Sequence, residues 1–163
     1  MTRKPIKSTY SIMDVLMASP TAPMPEVKRQ HQLLRMYGGL AAIEKDSHPT
    51  PDDWSVLSDA VNLMETLVLA GTVADERGLI ADGIAALAMA GRRHFKGGQI
   101  RLDGLGIAAM RAVLADYADL LEVLPARTFI ACHRATEKRL REILAGKKQA
   151  HDIEIITMKE LTA

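Results

Sequence analysis

Apolar side chains recur at helical intervals in two separate segments of this chain. One set comprises Trp54, Leu57, Val61, Met64 and Val68, and the other comprises Met110, Val113, Tyr117, Leu120 and Leu124. Steps of three and four residues keep successive side chains on one side of an α-helix, so each set predicts a helix with a buried face. We therefore expect an all-α protein, a helical bundle of five or six helices in a single domain.

Prolines and glycines divide the first part of the chain. Three prolines lie between residues 19 and 25, so a short first helix over residues 8–18 must end there, and residues 1–24 are expected to form a loosely packed or flexible arm. A second helix is predicted from Pro25 to Lys45. Gly38 and Gly39 weaken its middle, where a glycine pair typically marks a kink or a close helix contact. The inner side of this helix is expected to carry Leu33, Leu34, Tyr37, Leu40 and Ile43.

Thr50 marks the clearest helix start in the sequence. Its side chain can cap the helix, Pro51 suits the first helical position, and the two aspartates that follow favour the positive end of the helix dipole. This third helix should run to about Ala70. A fourth helix is expected from Thr72 or Val73 to His94, with an interruption at Gly78 as an option.

The second half of the chain predicts one or two further helices. Asp103 and Gly104 open a fifth helix that should run to Leu124, and Pro125 then either starts a sixth helix or kinks one long rod. The β-branched segment 153–158 has the composition of a strand. Its one obvious partner is the segment 99–102, so a short two-stranded ribbon near the C-terminus is a further option.

Length and composition exclude several classes of protein. A chain of 163 residues with 48% hydrophobic residues is long enough to bury a core without staples. Its single cysteine, Cys132, permits no intramolecular disulfide, which favours the reducing cytoplasm. Apolar runs stay well short of the roughly 20 residues that span a bilayer, so no membrane association is expected.

Charge is segregated along the chain although the net charge is only +1. Residues 1–36 and 92–163 are basic, whereas residues 37–91 carry nine acidic residues against two basic ones. Within the basic regions we single out two clusters as candidate contacts to a protein partner or a phosphate: Arg92, Arg93 and Lys96, and then Lys138, Arg139 and Arg141. The helix dipole is a sufficient structural reason for the first cluster and is the favoured explanation there, and pairing with interleaved glutamates explains the second.

No motif for catalysis, a cofactor or a metal is found in the sequence. The glycines at 97–98 and 104–106 lack the pattern of a phosphate loop, and no Glu-x-x-His motif occurs. Cys132 and His133 are neighbours, but adjacent residues on a helix point about 100° apart and cannot form a nucleophile–base pair with each other. We therefore predict no catalytic residue, no cofactor and no metal.

Three segments carry a resemblance to other proteins. They are the run from Asp53 to Asn62, the segment from Ile100 to Gly104 and the segment from Leu124 to Thr128. Over roughly residues 50–145, the chain resembles small helical proteins of unassigned function that bacterial prophages and other mobile elements carry. The resemblance implies a helical fold and a genomic setting, and it assigns no functional residue.

These observations favour a non-enzymatic interaction protein, an accessory factor of a phage or mobile element that binds a protein partner. Self-association into a homodimer is a further expectation, since nine methionines can supply adaptable apolar contacts. The alternative is a regulator that binds nucleic acid through the two basic clusters. An enzyme with an unrecognised site is the third class.

Overall fold

The computed structural model describes residues 8–147, and within this range the chain forms six α-helices. This confirms the all-α prediction. The helices are α1 (Ile12–Met17), α2 (Glu26–Lys45), α3 (Pro51–Leu69), α4 (Leu79–Phe95), α5 (Gly104–Val123) and α6 (Ala126–Leu144). None of the helices in the described residues is long and apolar enough to cross a membrane.

Helix α3 lies at the centre of the bundle and packs against α2, α4, α5 and α6. Four members of its predicted apolar set, Trp54, Leu57, Val61 and Met64, are buried, while Val68 is half-buried. The indole N–H of Trp54 donates a 2.9 Å hydrogen bond to the carbonyl oxygen of Leu87, which joins the start of α3 to α4. The first apolar set is therefore a core-facing stripe, as its spacing predicts.

The second apolar set forms the inner face of α5. Met110, Val113, Tyr117 and Leu124 are buried, and Leu120 is half-buried beside the core. Gly83 of α4 lies against this face, because a Cβ atom there would meet the side chain of Val113 at 3.1 Å. The lack of a side chain at this glycine lets α4 and α5 approach closely.

The predicted start of α3 is confirmed in detail. The Thr50 hydroxyl accepts a hydrogen bond from the backbone N–H of Asp53, and the Asp53 carboxylate accepts one of 2.8 Å from the backbone N–H of Thr50. This reciprocal capping satisfies two N–H groups that would otherwise lack a helical partner. Pro51 occupies the first helical position.

Two predicted helix starts are wrong. Helix α4 begins at Leu79 rather than at Thr72 or Val73. The preceding residue, Gly78, has φ +66°, a left-handed conformation that favours glycine and that does not continue a right-handed helix. Helix α1 begins only at Ile12, since Ser11 caps it in the same reciprocal manner as Thr50 caps α3. In both places a local turn or cap sets the boundary inside a longer apolar pattern.

The predicted inner side of α2 is partly wrong. Leu34 is 73% exposed and Tyr37 is 42% exposed, whereas Met36, Leu40 and Ile43 are buried. Gly39 decides this orientation, because it faces α3 so closely that a Cβ atom there would lie 2.9 Å from the backbone oxygen of Asp53. The glycine pair therefore marks a close helix contact.

Pro125 separates two helices rather than kinking one rod. Helix α5 ends at Val123 and α6 begins at Ala126, whose backbone N–H donates to the carbonyl oxygen of Ala22 at 2.8 Å. The segment 99–102 forms no strand; it is a connection with Ile100 and Leu102 buried. Its expected ribbon partner, 153–158, lies outside the described residues.

Candidate functional site

The first predicted basic cluster lies at the carboxyl end of α4. Arg92, Arg93 and Lys96 are exposed there, close to the last carbonyl groups of the helix. Arg93 donates a 2.7 Å hydrogen bond to the backbone oxygen of Arg101 in the connection that follows. The position favours the helix-dipole interpretation and leaves the cluster at the surface.

The second predicted cluster does not form one basic surface. The Arg139 guanidinium lies 2.9 Å from the Glu65 carboxylate, and the two side chains are only 13% and 12% exposed. Lys138 is exposed and lies 3.9 Å from Glu142 one helical turn away. Arg141 is half-buried. Arg139 therefore holds α6 against α3 and does not present its charge to a partner.

The two clusters lie at different ends of α3. Helix α4 runs antiparallel to α3, with Leu87 beside Trp54, so residues 92–96 lie beyond the start of α3. Arg139 contacts Glu65, which is roughly 20 Å along α3 from Pro51 at about 1.5 Å per residue. The two clusters therefore do not form one surface along which a nucleic-acid backbone would run.

An apolar groove runs between the outer faces of α4 and α5, and we call it the α4–α5 groove. Its volume is about 530 Å³. The floor is made of small residues, and Leu105, which is 85% exposed, stands at its edge with Met89. The lining consists of Leu79, Asp82, Ala85, Ala86, Met89, Asp103, Leu105, Gly106, Ala108, Ala109 and Ala112.

Charged side chains flank both ends of the α4–α5 groove. The end near Leu105 carries Asp103 and adjoins the carboxyl end of α4, where Arg92 and Arg93 lie. The other end carries Asp82 and adjoins Asp116, which Arg77 holds through two hydrogen bonds of 2.9 and 2.8 Å. The groove is thus apolar along its length, with charges of both signs at each end.

A small polar cavity lies between α2, α3, α5 and α6, and we call it the inner cavity. Its volume is about 50 Å³. Tyr117 lines it and is only 1% exposed, and no described residue forms a hydrogen bond with its hydroxyl group. The lining consists of Gln32, Arg35, Met36, Val56, Asp59, Leu63, Tyr117 and His133.

Three groups that line the inner cavity have shifted pKa values. Desolvation of the Asp59 carboxyl by the surrounding helices raises its pKa to about 6, although the residue as a whole is exposed and the nearby Arg35 guanidinium opposes the change. Burial also raises the pKa of the Tyr117 hydroxyl and lowers the pKa of His133. Near neutral pH, the tyrosine therefore remains a hydrogen-bond donor and the imidazole favours its neutral form.

Cys132 and His133 lie on different sides of α6. The Cys132 thiol faces α3 and donates a hydrogen bond to the backbone oxygen of Leu63 at 3.5 Å. Burial raises its pKa to about 11, so it is not an activated nucleophile. His133 Nδ1 instead lies 3.6 Å from the Glu137 carboxylate. Within residues 8–147, no three potential metal ligands come together.

Neither the α4–α5 groove nor the inner cavity was found from the sequence. The alanines of the groove carry no chemical motif, and Tyr117 fits the apolar stripe of α5 so well that the sequence predicts a core residue. A hydroxyl group within a buried stripe was the one available signal, because a buried tyrosine usually directs its hydroxyl at a partner.

No protein-family model, curated protein or solved structure matches this chain.

Proposed function

We propose that this protein acts by binding another protein chain, without catalysing a reaction, and that the α4–α5 groove is the binding surface. The observation that carries this proposal is an apolar groove of about 530 Å³ with Leu105 85% exposed at its edge. A contiguous apolar surface of this kind typically marks a contact with another chain, and a groove between two helices fits a helical element.

The occupant we assign to the groove is a second copy of the same chain. Large side chains stand at one end, where Met89 and Leu105 lie, while at the other end Ala109 and Ala112 leave room on the α5 side, opposite Leu79. A two-fold axis through the middle of the groove would bring the large side chains of each copy over the small residues of the other. Such self-complementarity is what a symmetric dimer interface requires.

Charge supports the same arrangement. With two grooves face to face and antiparallel, Arg92 and Arg93 of one copy approach the end of the other copy that carries Asp82, while Asp103 of each copy approaches the end that adjoins Arg77. Opposite charges therefore meet at both rims in this register, whereas a parallel arrangement would bring like charges together.

The genomic setting on a phage or mobile element remains part of this proposal. The alternative function, a nucleic-acid-binding regulator, receives less support, because Arg139 is paired with Glu65 and the two basic clusters lie at different ends of α3.

The experiment is sedimentation equilibrium of the full chain with two matched variants. Ala108 in the groove and Ala131 on α6 are both exposed helical alanines. We expect Ala108→Glu to weaken the dimer at least about tenfold, because it places a charge in an apolar interface, and Ala131→Glu to leave it unchanged. Circular dichroism should show the same helix content for both variants.

A charge exchange tests the antiparallel register. Arg92→Glu should weaken association, and adding Asp82→Lys to the same chain should restore it, because the two positions meet across the two-fold axis. A wild-type chain that stays monomeric at about millimolar concentration contradicts the assignment of a second copy. Equal effects of Ala108→Glu and Ala131→Glu contradict the assignment of the groove.

A further inference from the structure

The inner cavity adjoins a larger depression between α2, α6 and the segment before α1, which we call the outer groove. The two share Gln32, Arg35 and His133, and the outer groove has a volume of about 410 Å³. Its other lining residues are Thr9, Tyr10, Met24, Val27, Lys28 and His31. The two are therefore neighbours, separated by no more than these shared side chains, and both lie on a different side of the bundle from the α4–α5 groove.

Side-chain contacts hold one wall of the outer groove in place. The Glu137 carboxylate accepts hydrogen bonds of 2.9 Å from the backbone N–H of Thr9 and 2.8 Å from the Ser8 hydroxyl. Arg134 donates to the backbone oxygen of Tyr10, and the Tyr10 ring contacts the His133 ring edge-to-face at 5.3 Å. The wall that Tyr10 forms is therefore ordered before any ligand binds, which lowers the entropic cost of binding.

The charges that line this space favour an anion. Lys28 and Arg35 place an ammonium and a guanidinium group at its surface, and His31 and His133 add imidazole groups. Asp59 is the one carboxylate among the described residues that line either part. Its pKa of about 6 leaves Asp59 largely ionised at neutral pH, so a bound anion should lie nearer to Lys28 and Arg35 than to this carboxylate.

The floor of the space has an unused hydrogen-bonding group. The Tyr117 hydroxyl is buried and no described residue bonds to it, whereas buried polar groups in folded proteins are nearly always paired. A cavity of about 50 Å³ has room for a hydroxyl or carbonyl group of a ligand, since a water molecule occupies about 30 Å³ in the liquid.

We propose that the outer groove and the inner cavity form one binding site for a small organic anion, a phosphate ester or carboxylate whose body bears a hydroxyl or carbonyl group. The anionic group lies between Lys28 and Arg35, and the polar group of the body reaches the Tyr117 hydroxyl. This ligand site is independent of the α4–α5 groove, so each proposal can fail without the other.

The test is a titration of the isotopically labelled full chain, followed by backbone amide chemical shifts. The probes are inorganic phosphate, glycerol 3-phosphate and malate, each compared with sodium chloride at the same ionic strength. We expect saturable shifts at residues of α2, α3 and α6 that line the space. Glycerol 3-phosphate should bind about three- to tenfold more tightly than inorganic phosphate, because its hydroxyl groups can reach Tyr117.

Two variants and one control separate the contributions to binding. Arg35→Gln should weaken all three probes about tenfold, while Arg111→Gln, which removes an exposed arginine paired with Glu44, should leave binding unchanged. Tyr117→Phe should remove the preference for glycerol 3-phosphate over inorganic phosphate and leave the affinity for inorganic phosphate as it was. Its melting temperature in the absence of ligand should be equal to or above that of the wild type, because a buried unpaired hydroxyl is lost.

Two results would overturn the proposal. Shifts that sodium chloride reproduces, or that fail to saturate for all three probes, would show that the groove holds no specific anion. A Tyr117→Phe protein that melts lower than the wild type and retains the preference for glycerol 3-phosphate would show that the hydroxyl serves internal hydration rather than a ligand.

Discussion

The guanidinium of Arg139 on α6 and the carboxylate of Glu65 on α3 lie 2.9 Å apart, although the two residues are 74 positions apart in the sequence. Both side chains are more than four-fifths withdrawn from solvent, so the pair is only weakly screened. Arg139 also reaches the backbone oxygen of Asn62 at 3.5 Å. Arg139 therefore stabilises the bundle by joining α6 to α3.

Breaking this pair should destabilise the protein strongly. Glu65→Ala leaves a buried guanidinium without its carboxylate, and we expect the free energy of unfolding to fall by about 3 kcal/mol in chemical denaturation. Lys138→Ala removes an exposed member of a neighbouring pair and should change stability by less than about 0.5 kcal/mol. Equal losses in the two variants would mean that Arg139 finds another partner when Glu65 is removed.

The two adjacent glycines of α2 should respond oppositely to alanine. A Cβ atom at Gly39 would lie 2.9 Å from the backbone oxygen of Asp53, so Gly39→Ala must push α2 and α3 apart and should cost about 2 kcal/mol. Gly38 has no atom within 4 Å of its Cβ position. Gly38→Ala should therefore raise stability by about 0.5–1 kcal/mol through helix propensity. Thermal denaturation of both variants checks the sign directly.

Asp59 should make stability depend on pH in the weakly acidic range. The groups facing it are Arg35 from α2, Tyr117 from α5, and His133 and Glu137 from α6. Burial raises its pKa from 3.8 to about 6, so the folded state binds a proton more readily than the unfolded state. The stability that this carboxyl contributes is present below about pH 4 and is lost as pH rises through about 6.

The variant Asp59→Asn isolates this effect. Denaturation curves should give equal stabilities for the variant and the wild type near pH 4. Near pH 7.5 the variant should be more stable by about 1 kcal/mol or less, because the carboxyl keeps solvent contact that screens the penalty. A wild type that gains stability relative to the variant as pH rises would show that the Arg35 charge outweighs burial.

Cys132 should react slowly while the protein is folded. Burial raises its pKa from 9.0 to about 11, so the thiolate fraction at neutral pH falls about a hundredfold below that of a free thiol. Reaction with a chromogenic disulfide reagent should be correspondingly slow in the native state and fast in denaturant. A fast native reaction would place the thiol in an accessible and activated environment.

Local signals in the sequence determined where most helices lie. The start of α3 is an example, since Thr50, Pro51 and Asp53 act on neighbouring backbone groups and need no tertiary contact to do so. The apolar spacing of α3 and α5 likewise identified their buried sides, because α3 packs against four helices and α5 against α2, α3 and α4, so the apolar stripe of each faces the core. Where an apolar pattern extends past a turn, as at Gly78, the pattern predicts a longer helix than the structure has.

Tertiary packing sets which surfaces those helices present and which polar groups meet. Leu34 and Tyr37 fit the inner side of α2 by spacing alone, yet the close approach of Gly39 to α3 turns them outward. Arg139 has the same local sequence context as Lys138, but only one of them meets a buried carboxylate. The inner cavity joins Arg35, Asp59, Tyr117 and His133 from four helices. Periodicity and capping depend on residues a few positions apart, whereas burial and pairing depend on segments that are brought together only by packing.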